Sequence, residues 1–131
     1  MLNDSKVEAN IPAADIERAR SFYADKLGLQ PASEPVPGYL RYETAGGTTF
    51  NIYQTQYAGR AGHTIAQIHV GDVEKEVADL KAKGVAFEVY EDMPGTEWRG
   101  EVAVSPEMGK AAWFKDSEGN ILCIDSGYPE G

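Results

Sequence analysis

Apolar residues recur along this chain at two spacings, and the order in which the spacings follow one another occurs twice. Lys6–Pro12 and Thr64–Val70 alternate apolar and polar side chains, as strands with one buried face do. Each is followed by a stripe at helical spacing: Ile16, Ala19, Phe22, Tyr23 and Leu27 in the first case, Val73, Val77 and Leu80 in the second. Asp15 and Asp72 stand where a carboxylate can accept from the free amides of a first helical turn. Gly28 and Gly84 stand where a left-handed residue ends a helix. Strand-like runs come next, around Tyr39–Thr44 and Thr48–Gln54, and later around Val85–Glu91, Ala111–Lys115 and Asn120–Ser126. Gly46-Gly47 suits a tight hairpin turn and Ser117–Asn120 a slightly longer one.

The recurrence has a register. Asp15 and Glu17 map onto Asp72 and Glu74 at an offset of 57 residues, and Gly46–Ile52 maps onto Glu118–Ile124 at an offset of 72, so the second copy carries about 15 additional residues before its last hairpin. The expected fold is α+β: two βαβββ modules, about residues 6–57 and 64–126, within a single domain spanning 1–131. A dimeric ferredoxin-like barrel needs a β-α-β-β-α-β order and matches this arrangement less well.

Alternation sorts the strand residues into two faces. Val7, Ala9, Ile11, Phe50, Ile52, Ala66, Ile68, Val70, Leu122 and Ile124 form an apolar set that can pack beneath helices. The opposite set is Glu8, Asn10, Asn51, Tyr53, Ile65, Gln67, His69, Ile121, Cys123 and Asp125. It reads either as a solvated face or as the wall of a cleft, where amide, phenol and carboxylate groups could hold a small molecule.

Composition narrows the partners. With 131 residues the chain can bury a core without a disulfide or metal staple. Twelve Lys and Arg against 21 Asp and Glu give a net charge of −9, which disfavours nucleic acid and anionic membrane surfaces. An apolar fraction of 42% and a charged fraction of 25% are those of a globular chain. The lone Cys123 has no internal disulfide partner. The polar start Met1–Lys6 and the lack of an apolar run of roughly 18 residues predict a cytoplasmic protein.

The duplicated unit, its helix-opening Asp residues and the hairpin Asp116-Ser117-Glu118-Gly119-Asn120-Ile121 resemble the vicinal oxygen chelate superfamily. That superfamily includes glyoxalase I, bleomycin-resistance proteins and extradiol dioxygenases. The resemblance covers Val7 to Ser126 and implies an incomplete barrel around a ligand cleft, commonly in a homodimer. It also implies the positions from which metal-binding members take ligands: Glu8 and Ile65 on first strands, Asn51 and Cys123 on last strands. That quartet suits no divalent ion, because Ile65 has no donor, Asn51 is a weak ligand, and Cys123 is soft where Glu8 is hard. His63 could stand in only by a shift of register. The expected cofactor is therefore none, and no metal ligands are assigned.

The expected function is binding of a small organic molecule in the cleft, of the resistance or sequestration type. A second expectation is a metal-independent isomerase or lyase with Glu8, His69 or Asp125 as acid–base groups. Metal-dependent glyoxalase-like chemistry ranks third. Asn10, Asn51, Tyr53, Gln67, Trp98, Arg99, Trp113 and Cys123 are the expected ligand contacts, with Cys123 more a buried thiol than a nucleophile. Tyr42 is either a stacking surface or core. The inserted stretch Glu91–Lys110 is too long for a hairpin loop and reads as a lid or a dimer contact.

Overall fold

The computed structural model describes residues 1–127, so the last four residues of the expected domain lie outside the described residues. After a short 3-10 turn at Leu2–Asp4, the first module runs β1 (Ala9–Ala13), α1 (Ile16–Asp25), β2 (Tyr39–Glu43) and β3 (Thr49–Gln54). The second runs β4 (Thr64–His69), α2 (Val73–Ala82), β5 (Phe87–Glu88), β6 (Glu97–Arg99), β7 (Val102–Ser105), β8 (Gly109–Lys115) and β9 (Ile121–Asp125). Two open mixed sheets result, ordered β1-β3-β2 and β4-β9-β8-β7-β6, with β5 pairing along the other half of the β8 edge. In each sheet the strand before the helix pairs in parallel with the last strand of its module, which is the shared logic of the two copies.

The helix signals hold at the atomic level. The Asp15 carboxylate accepts from the amides of Glu17 and Arg18, both at 3.1 Å, and Asp72 accepts from Lys75 N at 3.1 Å. Ala19 and Tyr23 of α1 and Val73, Val77 and Leu80 of α2 are buried. They join Ile11, Leu40, Tyr42, Ile52, Phe114, Leu122 and Ile124 in one hydrophobic cluster that spans both modules.

Two expectations change and one open alternative is settled. The first module has three strands, because the segment that would add a fourth makes only an isolated bridge from Ser33 to Arg41. Pro31, Pro35 and Pro37 lack the amides a ladder requires. Strand β1 begins at Ala9, and Val7, two residues ahead of it, is 86% exposed instead of packed under a helix. Tyr42 is core: its ring stacks on Phe50 at 5.0 Å and its buried hydroxyl has no partner among the described residues, and burial raises its pKa to about 12.

The turn between β8 and β9 fastens one module to the other. Asp116 Oδ1 accepts from the amides of Glu118 (2.8 Å) and Asn120 (2.9 Å), while Oδ2 accepts from the Tyr23 hydroxyl at 2.7 Å. Asn120 Nδ2 donates to the Pro12 carbonyl at 2.7 Å. Glu118 accepts from Asp15 N (2.8 Å) and takes a two-pronged contact from Arg18 at 2.8 and 2.9 Å. Gly119 has φ +83° and a side chain there would press on Gly59, whose own Cβ would come within 2.8 Å of the Glu118 carbonyl. Burial alone would push the Glu118 carboxyl up, but the Arg18 guanidinium, the Asp15 amide and the Ser117 hydroxyl outweigh it and bring the pKa to about 2.

A carboxyl whose pKa falls from an ordinary 4.5 to about 2 on folding contributes stability above pH 5 and loses it as the pH drops towards 2. Because the Arg18 side chain is 53% exposed, solvent screening reduces the contribution to about 2 kcal/mol. Glu118→Gln should lower Tm at pH 7 by roughly 5–10 °C, and the gap from wild type should narrow below pH 5 and close only below about pH 2, as read by calorimetry across that range.

Candidate functional site

The helix-free face of the first sheet gathers Glu8, Asn10, Arg41, Asn51, Tyr39 and Tyr53. Register explains why: Asn10 and Arg41 both lie opposite Asn51, and Tyr39 lies opposite Tyr53. Glu8, one residue before β1, reaches the same row. Asn51 Nδ2 donates to Glu8 Oε2 and to Asn10 Oδ1, both at 3.1 Å. Arg41 donates to Glu8 Oε1 from Nε (3.1 Å) and Nη2 (2.8 Å), and to Glu43 from Nη1 (2.5 Å). The Arg41 guanidinium, and after it the Asn51 amide, hold the Glu8 carboxyl below the usual carboxylate range. Glu8 is thus a committed counter-ion and a weak base. Tyr39 and Tyr53 stack with centroids 5.4 Å apart.

The second sheet carries two rows on its helix-free face. One runs Gln67, Cys123, Trp113 and Glu88; the other runs His69, Asp125, Ala111, Ala103 and Trp98. Asp125 organises both. Its Oδ1 accepts from His69 Nδ1 at 2.5 Å and Gly127 N at 2.9 Å, and its Oδ2 accepts from Gln67 Nε2 at 3.2 Å. Cys123 is only 1% exposed, and burial followed by the Asp125 carboxylate pushes its thiol up to about 12. Trp113 Nε1 donates to Thr64 Oγ1 at 3.2 Å. Its ring lies 6.0 Å from Trp98 and 5.7 Å from Tyr90, whose hydroxyl donates to Glu88 at 3.4 Å.

Trp98 enters this face from the inserted stretch, whose centre folds as the β6–β7 hairpin and lengthens the sheet. Arg99 is on the opposite side of β6, paired with Glu97 at 3.7 Å. It lines both of two surface grooves of about 560 and 430 Å³, which contain no residue of the two helix-free faces.

Thr64 is the residue that sequence reasoning missed. A bulge in β4 makes Thr64 face Ile121 and Ala66 face Leu122, leaving Ile65 as the extra residue, packed on the core. Ile65 therefore leaves the face on which alternation placed it, and the Thr64 hydroxyl takes its position.

The quartet selected by the family register does not fit a divalent cation. Glu8 already holds a guanidinium, Ile65 has turned into the core, and Cys123 keeps its proton in a buried site. His63 is exposed, with Nδ1 3.0 Å from the Thr64 carbonyl oxygen. Among the described residues no group of three or more His, Cys, Asp and Glu is arranged to hold a metal.

The profile of the glyoxalase/bleomycin resistance protein/dioxygenase superfamily matches residues 7–124. The chain belongs to this superfamily. Solved structures with the same fold include UcmS2, 16% identical with a TM-score of 0.69, covering 94% of this chain and 98% of that one. Another is the fosfomycin resistance protein FosX from Listeria monocytogenes, complexed with Mn(II) and a dihydroxypropylphosphonic acid. It is 15% identical with a TM-score of 0.65, covering 94% of this chain and 90% of its own. A third is TnmS3, an antibiotic binding protein from Streptomyces sp. CB03234, 20% identical with a TM-score of 0.61 over 92% and 94% of the two chains. No curated protein sequence matches the chain.

Burial and the raised pKa make Cys123 inert in the folded superfamily member. At pH 8 a chromogenic disulfide should label less than about a tenth of the protein within minutes, and one thiol per chain once denaturant is added. Rapid stoichiometric labelling of folded protein would contradict this placement.

Proposed function

We propose that the protein binds a small organic molecule against the helix-free faces of its sheets without a metal, as a resistance or sequestration protein does. The observation that carries this reading is the half-buried wall of Trp113, Trp98 and Tyr90 standing beside polar groups already bonded to one another. A face poised for proton transfer would hold a carboxyl with a raised pKa or a thiol with a lowered one. Here Glu8 is shifted down and Cys123 up. Asn10, Asn51 and Tyr53 on one sheet, and Gln67 and Trp113 on the other, are the contacts assigned to the ligand. Each sheet is open in a single chain, so the working unit in this reading is a cytoplasmic homodimer whose copies enclose the ligand between them. Among the described residues no helix is long and apolar enough to cross a membrane.

A specific geometry favours a second reading, a metal-independent isomerase or lyase. With Asp125 accepting at 2.5 Å, His69 carries its neutral-state proton on Nδ1, which leaves Nε2 as the acceptor atom of the ring. In that reading His69 is the acid–base group, Asp125 orients it, and Glu8 is a poor base because Arg41 holds its charge.

Both tryptophans of the chain stand in the proposed wall, so intrinsic fluorescence reports on it directly. A thermal-shift screen of antibiotics and small keto or enol metabolites should yield a ligand that quenches this fluorescence. At 100 times its dissociation constant it should add about 2.7 kcal/mol of stability. Trp113→Ala should remove both signals, and an undiminished shift in that variant would refute the assigned site. Consumption of the hit, abolished by His69→Gln while binding survives, would transfer the assignment to the second reading. Titration with Mn(II), Ni(II) or Zn(II) should show no stoichiometric high-affinity site.

A further inference from the structure

The row from His69 to Trp98 has an uneven profile. At one end His69 and Asp125 share a short hydrogen bond; at the other stands the Trp98 indole; between them Ala111 and Ala103 contribute only methyl groups. Trp113 borders this low stretch from the neighbouring row, and Tyr90 and Glu88 extend the border. The ring planes of Tyr90 and Trp98 lie at 79° and 52° to that of Trp113, so the three rings form a corner, as an aromatic cage does, and not a parallel stack.

Charge around this corner is negative. Asp125 lies at one end of the row and Glu88 opposite Trp113. Lys115 approaches Glu88 at 3.5 Å, but both side chains are partly solvated and such a pair is weak. The Tyr90 phenol is held above its ordinary pKa, by burial first and then by the Glu88 carboxylate. The Trp98 indole is itself inserted into the wall, with Nε1 buried and without a hydrogen-bond partner among the described residues.

We propose that this alanine-floored corner is a subsite for a flat organic cation, held by the faces of Trp113 and Trp98 and by the carboxylates of Glu88 and Asp125. The inference rests on the small-molecule reading above and names the chemical class that reading left open. Aromatic faces prefer a delocalised cation to its neutral counterpart, and the two carboxylates add to that preference without needing direct contact.

Three quinolines of matched shape test it: N-methylquinolinium, neutral quinoline and anionic quinoline-carboxylate, titrated calorimetrically at pH 8 and low salt. The cation should bind at least tenfold more tightly than quinoline and more tightly still than the carboxylate. Glu88→Gln should weaken the cation three- to tenfold and leave quinoline unchanged, and its half-exposed position makes misfolding a minor concern. Trp98→Leu should weaken both, and the cation by more than quinoline. Equal affinities within twofold, preference for the anion, or no saturable binding of any of the three would overturn the inference. If quinoline or its carboxylate binds in a Trp98-dependent manner, the small-molecule reading survives and only the charge assignment falls. If a ligand from the broader screen binds with no dependence on Trp113, the functional reading itself fails.

Discussion

One buried carboxylate ties the two halves of this chain together. Glu118 sits in the turn between β8 and β9, with its side chain out of solvent, and receives the Asp15 amide and the Arg18 guanidinium from the other module. A buried charge is tolerated only when it is paired and its lone pairs are filled, and here Ser117 completes the set. Asp116 and Asn120 add the Tyr23 hydroxyl and the Pro12 carbonyl to the same junction. Both ends of the first helix are engaged, since Lys26 also donates to the Lys83 carbonyl at the end of α2. Any change in how α1 meets this turn would shift the first sheet against the second.

That junction leaves both helix-free faces outward and chemically distinct. The first is polar and internally paired: Arg41 lies between Glu8 and Glu43 and donates to both. The second is aromatic and acidic, with Asp125 filled by its own neighbours and the indoles standing clear of them. A surface of this second kind gains more from burying a ring than from moving a proton, because its titratable groups are already paired.

Local signals carried the helices and the division into faces. The caps at Asp15 and Asp72, the stripes through Tyr23 and Val77, and the alternation that sends Ile52 inward and Asn51 outward all follow from the spacing of residue types. What escaped was decided by pairing between distant strands. Arg41 meets Glu8 because β2 and β1 flank β3 in one particular register, and nothing near either residue announces it. The hairpin motif was visible as a turn, while the fit of Glu118 to a helix start about a hundred residues away was not. The missing fourth strand of the first module was legible in principle from its three prolines, although the strands on either side of it drew the eye to a complete copy.

The bulge in β4 decides which of its side chains can serve the open face. The extra residue packs Ile65 against the core and leaves Thr64 opposite Ile121 on the helix-free face. Replacing that isoleucine with histidine would press an imidazole among apolar neighbours and add no donor to the open face. A donor can return to that face only through position 64, one residue earlier, where a point substitution suffices.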